Sequence, residues 1–492
     1  MRQHIAVIVA GVALLLAAWL VPDVRKSYIR AATTMDAVPS EPVALPAAEG
    51  AGLPKAERTR VVLVDGLTAE AAGSMPTMQV LCANGTAMQI DVGFPTVSLP
   101  VEVALWTGLT QQQTGIVANR AFDPPIKGIP SQVPGSIAIA ENHGYIVRAL
   151  GFSRAEPLAE PGKPMEDANE NAWDAQWFTL ALEAVRSSSP LVFVHILRVD
   201  VAGHKVGLGP GYDKAVREVD PMLDKLFQAD PSARWFLLSD HGHIASGGHG
   251  GDERHVRHVL GCLYGPGIKK QRSGLIHIVD VGRMIADSVG VTLDPASRAR
   301  PFEAALATQL GDDQALPALP IIVGAFAILI LVAGLIAEWW GVRRWWLAPV
   351  WFVAGCGLLL LVRGVPTLST PFIYKPEGRD MWTVWAAALP LATAATWFGL
   401  QKTTLLRVLA AQLAFPIAAV AATITAAGAW PTLFGADVAP VVPHFTAWAS
   451  PLLLLLAHGA GAVGLAVLAT AAHRVFGRRA PPEPPRSEPA AD

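Results

Sequence analysis

Two short stretches of this 492-residue chain hold side chains suited to binding divalent cations. Asp200-Val-Ala-Gly-His204 sets a carboxylate and an imidazole four residues apart, and Ser239-Asp240-His241-Gly242 sets a second pair side by side, with His249 close behind. A single histidine of this kind reads as an ordinary structural residue. A group of such ligands, each just beyond an apolar run, does not, because a desolvated carboxylate is costly until an opposite charge meets it. A bound dication supplies that charge. Imidazole with carboxylate suits zinc, with manganese as the alternative. Asp65 closes another apolar run, and Thr96 stands in the turn Gly93-Phe94-Pro95-Thr96-Val97-Ser98, so there are ligands enough for two ions. A hydroxyl is a weak nucleophile until a metal or base activates it. Two ions about 4 Å apart can hold the attacking and leaving oxygens of an in-line displacement. The expected chemistry is hydrolysis or transfer of an oxyanion ester, with Thr96 as the nucleophile and Ser98 as the competing hydroxyl.

These groups need a scaffold. Residues 60–64, 191–197 and 234–238 are apolar, β-branched or aromatic runs, followed by Asp65, Asp200 and Asp240. Helical periodicity marks 173–186 and 212–227 between them. Strands alternating with helices predict an α/β fold, a mostly parallel sheet with helices on both faces. Sites in such sheets form beyond the carboxyl ends of the strands, where all three aspartates fall. Residues 148–171 are rich in Pro, Glu and Gly and read as a surface excursion.

Charged residues make up 16% of the chain and hydrophobic ones 52%, against roughly 25% charged in a soluble domain. A net charge of −2, with no Lys/Arg cluster, speaks against nucleic acid as a partner. The apolar excess sits in segments near 5–21, 319–336, 345–362, 384–400, 405–427 and 446–471, each long enough for about 30 Å of hydrocarbon. Trp339, Trp340, Trp345, Trp346 and Trp382 cluster at their ends, as interfacial aromatics do. The first segment reads as a retained anchor, since Ala-Ala-Trp-Leu-Val-Pro offers no small-x-small cleavage site. Arg343, Arg344, Lys402, Arg407, Arg474, Arg478 and Arg479 outnumber Arg363, Lys375 and Arg379 on the opposite side, which places the C-terminus in the cytoplasm. Arg25, Lys26 and Arg30, following the first segment, dissent. The expected organisation is an anchor (1–22), a Pro/Ala-rich tether (23–57), an extracytoplasmic catalytic domain (58–313), a five-helix α-helical transmembrane bundle (319–476) and a disordered cytoplasmic tail (477–492). Cys82 and Cys262 share the external domain and are expected to be separate buried thiols rather than a bridge; Cys356 lies in a membrane segment.

The order Val-Asp65-Gly, Pro95-Thr96, Asp200-x-x-Gly-His204, Ser-Asp240-His241-Gly, Gly248-His249-Gly250 resembles the alkaline phosphatase superfamily, and within it the type I phosphodiesterase/nucleotide pyrophosphatase branch. Trp106-Thr-Gly-Leu, Thr114-Gly-Ile-Val-Ala-Asn119, Tyr212 and Tyr264-Gly-Pro-Gly extend the likeness over about residues 58–268. The resemblance implies one ion on Asp65, Thr96, Asp240 and His241, with Thr96 attacking phosphorus, and a second ion on Asp200, His204 and His249. It also implies a substrate-binding role for Asn119, although Thr114 replaces the histidine of that motif. His243 stands where the family carries an apolar residue; it is a candidate substrate-facing group, with a structural role as the simpler expectation. His255 and His258 match nothing assignable.

An N-terminal anchor, an external domain and a multi-span C-terminal part resemble the ethanolamine phosphate transferases of glycolipid-anchor synthesis. That likeness implies phosphodiester chemistry on a membrane lipid or lipid-linked glycan. The lone polar residues Glu338, His444 and His458 near or within spans read as interfacial rather than catalytic, with His458 noted as an ionisable group inside a span. Alternatives are a phosphomonoesterase or sulfatase of the same fold, or a non-catalytic membrane scaffold. Cys82 lacks the C-x-P-x-R context that a sulfatase needs.

Overall fold

The computed structural model describes residues 49–157 and 170–310, apart from 117, 120, 246, 252, 308 and 309. All six apolar segments, the anchor, the bundle and the tail lie outside the described residues. Within them, no helix is long and apolar enough to cross a membrane.

The chain runs β1 (Thr59–Val64), α1 (Ala69–Ser74), α2 (Pro76–Asn84), β2 (Thr86–Asp91), α3 (Ser98–Thr107), α4 (Gln111–Thr114), β3 (Ile137–Ala140), α5 (Gly144–Ala149), β4 (Arg154–Glu156) and α6 (Glu170–Arg186). It continues through β5 (Leu191–Ile196), α7 (Arg198–Val206), α8 (Pro210–Ala229), β6 (Arg234–Leu238), α9 (Arg254–Arg257), β7 (His258–Tyr264), β8 (Gln271–His277), α10 (Ile278–Val289) and α11 (Phe302–Ala307). One eight-stranded sheet has the order β4-β3-β5-β1-β6-β7-β2-β8. Its pairs are parallel except for those made by β7, which runs antiparallel to β6 and β2. The sheet is therefore mixed and mostly parallel. The three central strands β5, β1 and β6 are the apolar runs read from the sequence.

Alternation along β1 shows why both faces are covered. Val61 and Leu63 enter one core with Leu99, Val103, Met284 and Ile285, so α3 and α10 cover that face. Val62 and Val64 enter the other core with Met78, Leu81, Trp177, Ala181, Val219 and Leu223, from α2, α6 and α8. A strand buried on both sides has no polar alternation, which is how these runs read. Each fully buried Val or Leu contributes about 1.5–3 kcal/mol, so the central strands are the stiffest part of the domain.

Three expectations change. Cys82 and Cys262 form a disulfide between α2 and β7, with Cα atoms 4.9 Å apart, instead of two free thiols. The packing of α2 against β7 brings together residues 180 positions apart, a proximity invisible in linear sequence. Residues 53–57, assigned by composition to the tether, are docked on the domain: Leu53 is buried, its N–H meets Asp287 Oδ2 at 3.2 Å, and Ala56 N–H donates to Ser288 O at 2.8 Å. The stretch read as a surface excursion contains β4, which pairs in parallel with the edge of β3.

Candidate active site

The site lies beyond the carboxyl ends of β1, β5 and β6, adjacent strands that point the same way. Asp65 follows β1 directly and turns at Gly66, whose φ of +70° is a left-handed conformation. A Cβ there would meet His243 Nε2 at 2.6 Å and Asp200 Cα at 2.8 Å, so the turn excludes side chains on two counts. Tyr212 on α8 holds the turn shut: its hydroxyl donates to Gly66 O at 2.8 Å and accepts Thr68 N–H at 2.9 Å. Ser239 acts from β6 likewise, accepting Leu67 N–H at 3.0 Å and donating to His241 O at 2.8 Å.

Asp200 and His204 stand one turn apart on α7, hence on one face. The N-terminus of this helix has no capping side chain of its own. Glu141, just past β3, serves instead: one oxygen accepts the N–H groups of Leu197 and Arg198 at 2.8 and 2.9 Å, and the other holds the Arg198 guanidinium at 2.6 Å. The charge at the helix start adds a favourable dipole interaction.

The ligand atoms converge in two main groups. In the first, His241 Nε2 lies 3.3 Å from Asp65 Oδ1 and 3.2 Å from Asp240 Oδ2. In the second, Asp200 Oδ1 is 3.4 Å from His204 Nε2 and 3.7 Å from His249 Nε2, and the two Nε2 atoms are 3.1 Å apart. A tetrahedral ion with bonds near 2.0–2.1 Å has ligands about 3.3 Å apart, so both groups have the spacing of ligands to a dication. The tautomers agree. His241 Nδ1 donates to Gly242 O at 3.1 Å and His249 Nδ1 to Thr96 O at 2.8 Å, which leaves each Nε2 lone pair facing inward. Asp65 Oδ1, Asp200 Oδ1 and Asp240 Oδ2 are buried without a hydrogen-bond partner, the state of oxygens that wait for an ion; Asp65 Oδ2, also short of hydrogen-bond geometry, faces His195. Asp240 Oδ1, by contrast, is held by the N–H groups of Gly66 and His241.

The electrostatics match. Burial opposes charge on His241, yet Asp240 and Asp65 raise it to about 10. Burial and the His241 charge push His249 well below the usual imidazole range, and burial lowers His204, so these two are neutral donors. Asp200 resists its burial and the Asp65 charge, held at about 2 by His243 and its other histidine neighbours. Without an ion, protons on His241 and Asp240 balance the acids. An ion takes their place.

The hydroxyls sort differently from expectation. Thr96 Oγ1 donates to Gly251 O at 2.6 Å and accepts Gly250 N–H at 2.9 Å, so it ties its turn to the His249 loop. Ser98 opens α3, and its Oγ lies 3.4 Å from His241 Nε2, at the first ligand group. The physical reason is register: Ser98 is the first helical residue, and the helix start aims its side chain inward. Asn119 Oδ1 accepts Leu99 N–H at 2.9 Å, which orients its amide nitrogen away from that bond beside the helix start. His243 is wholly buried, takes Gly248 N–H on Nδ1 at 3.0 Å and sets Nε2 3.1 Å from Asp200 Oδ1, a close contact without hydrogen-bond geometry; with Asp200 and His241 it makes a third candidate ligand group.

Two residues escaped the sequence reading. His195 Nε2 lies 3.3 Å from Asp65 Oδ2 and 3.1 Å from Glu102 Oε1, all three side chains being fully buried. The signal existed: each is the lone titratable group in an apolar element, Leu-Val-Phe-Val-His-Ile in β5 and Leu-Pro-Val-Glu-Val-Ala-Leu-Trp in α3.

Residues 59–138 and 131–251 match the model of the family described as type I phosphodiesterase / nucleotide pyrophosphatase. The chain is accordingly a phosphoric ester hydrolase by type, with its ligand groups inside the matched residues. Among solved structures, murine ectonucleotide pyrophosphatase/phosphodiesterase 5 is similar at 16% identity, covering 48% of this chain and 96% of that one, with a TM-score of 0.39. The human counterpart is 16% identical over 50% of this chain and 98% of its own, TM-score 0.41. A protein of the alkaline phosphatase superfamily from Vibrio parahaemolyticus is 16% identical over 58% of this chain and 78% of its own, TM-score 0.33. No curated protein matches this chain.

Proposed function

We propose that this chain is a two-metal phosphodiesterase or phosphotransferase with Ser98 as its nucleophile, working on the phosphodiester of a lipid or lipid-linked substrate at a membrane surface. The observation that carries this reading is the placement of Ser98 Oγ, at a helix N-terminus and 3.4 Å from His241 Nε2, among unpartnered carboxylate oxygens. Asp65, Asp240 and His241 would hold one ion, and Asp200, His204 and His249 the other. Two bound dications supply charge neutralisation at phosphorus and a lowered pKa for the hydroxyl beside them. Ser98 Oγ attacks phosphorus and gives up its proton to solvent as the ester P–O bond breaks and the departing alkoxide takes up a proton. Water or an acceptor hydroxyl then breaks the Ser98 Oγ–P bond, carrying away the phosphoryl group and returning a proton to Ser98. The N-terminus of α3 favours the developing negative charge. Asn119 offers its amide N–H to a phosphoryl oxygen. Thr96 keeps its place as a residue that fixes the loop.

Ser98-Leu99-Pro100-Val101-Glu102 carries an acid where the sulfatase signature has arginine, which disfavours the sulfatase alternative. Support for an extracytoplasmic domain comes from the Cys82–Cys262 disulfide, since such bonds persist in oxidising compartments. The apolar segments flanking the domain supply the membrane, and the head-group substrate follows from that setting. Ser98→Ala is expected to lower cleavage of a nitrophenyl phosphodiester by at least about 10³-fold while leaving metal content near two ions per chain. Thr96→Ala should retain turnover. The opposite pattern returns the nucleophile to Thr96. Lipid profiling of cells with and without the protein tests the substrate class: an unchanged set of phospho-head-groups would remove it.

A further inference from the structure

Glu102 stands one turn beyond Ser98 on α3, so the helix that presents the hydroxyl presents a carboxylate on the same face. His195 comes from β5, whose neighbour β1 pairs Leu63 with it two residues before Asp65. The imidazole of His195 therefore sits where α3, β5 and β1 meet, between Glu102 Oε1 and Asp65 Oδ2. The other Asp65 oxygen, Oδ1, is the one that faces His241. Glu102 falls in none of the ligand groups, although Asp65 and His241 both do.

We propose that His195 and Glu102 are a positioning pair: the one Nε2 of His195, in close polar contact with Glu102 Oε1 and the outer oxygen of Asp65 together, would keep Asp65 turned so that its inner oxygen serves the Asp240–His241 ion beside Ser98. The inference rests on the two-metal reading above. Three buried carboxylates around one dication would be an excess of negative charge; matching Glu102 to His195 removes one of them from the ion. The pair also ties α3 to β1, so the nucleophile and the ligand move together. A buried pair with no task beside the ion would be replaceable by apolar side chains of similar volume. Neighbours that orient a ligand are not, and their loss costs about 10–100-fold in metal affinity.

The test uses the full chain in detergent micelles or nanodiscs, stripped of metal and titrated with zinc against a chelator of known affinity. His195→Phe keeps the volume and removes the donor. It should weaken one of the two ions by about 10–100-fold and leave the other within about threefold. His195→Gln carries two N–H donors on one nitrogen and should stay within about threefold of wild type for both ions. Glu102→Leu should weaken the same ion as His195→Phe. Melting of each metal-free variant separates the alternatives, because a merely structural role lowers melting without moving the zinc affinity. Wild-type affinity in a folded His195→Phe, equal weakening of both ions, or equal losses in the Phe and Gln variants would overturn the proposal. Should His195→Phe fail to fold, Glu102→Leu with both affinities unchanged does the same. A chain that binds two ions yet cleaves no phosphodiester ends the functional reading and spares this one, whereas a wild-type chain that takes up no ion ends both.

Discussion

The imidazole of His241 lies flat on that of His249, with ring centroids 3.7 Å apart and 14° between the planes. One ring belongs to the group with Asp65 and Asp240, the other to the group with Asp200 and His204, so the two ligand sets share a wall. Each ring is pinned through Nδ1 to a backbone carbonyl, and each turns Nε2 towards its own acids. Paired sites built this closely suit an in-line displacement, in which attacking and leaving oxygens must be stabilised together.

Metal uptake should release protons. His241, raised to about 10 by Asp240 and Asp65 against its burial, is charged at neutral pH and must deprotonate to become a ligand. Affinity for the first ion therefore rises with pH across the neutral range, with roughly two protons displaced at that site, from His241 and Asp240. Calorimetry in buffers of different ionisation enthalpy reads this directly, and zero net release would contradict it. The sign reverses for the metal-free fold. A group raised from 6.5 to about 10 on folding contributes stability that is complete below 6.5 and fades as pH climbs through 10.

Tyr212→Phe removes a hydroxyl that serves both Thr68 N–H and Gly66 O. Two buried backbone groups lose their partner, at a cost of about 1–3 kcal/mol. Because these groups flank Asp65, metal affinity should fall alongside stability. Urea unfolding of the metal-free protein, paired with a zinc titration, checks both; a variant that loses neither would show that Tyr212 only fills space.

Asp91 supplies an acid-sensitive contact away from the metals. Its carboxyl resists burial because Arg257, with both oxygens engaged, and His277 hold it below the usual 3.8. That stabilisation is present above 3.8 and is lost as pH falls through the lower folded value. Asp91→Asn should cost about 1.5–3 kcal/mol at pH 7 by replacing a charge-assisted, two-oxygen contact to Arg257 with a neutral amide. The gap between variant and wild type should narrow below pH 4, and a gap independent of pH would count against the pairing.

Replacing Cys82 and Cys262 together by alanine opens a closed loop spanning 180 positions. The expected loss is about 2–5 kcal/mol, matched by a similar fall in melting temperature of the wild type under reductant. Labelling of either thiol by an alkylating reagent in the oxidised protein would show the bridge to be absent.

The sequence by itself determined the central strands, the mostly parallel sheet and the ligands at its strand ends. The reason is local: a strand covered on both faces must be continuously apolar, so an aspartate directly after one announces a site. Tertiary structure alone decided which hydroxyl faces the ligands, since Thr96 and Ser98 differ by two positions and the start of α3 chooses between them. It alone joined Glu102 and His195, each unremarked within an apolar element, and paired Cys82 with Cys262 through the packing of α2 on β7, which no local pattern encodes. Local burial pattern is written along the chain; direction and long-range pairing come into being when α3, β5, β1 and β7 pack together.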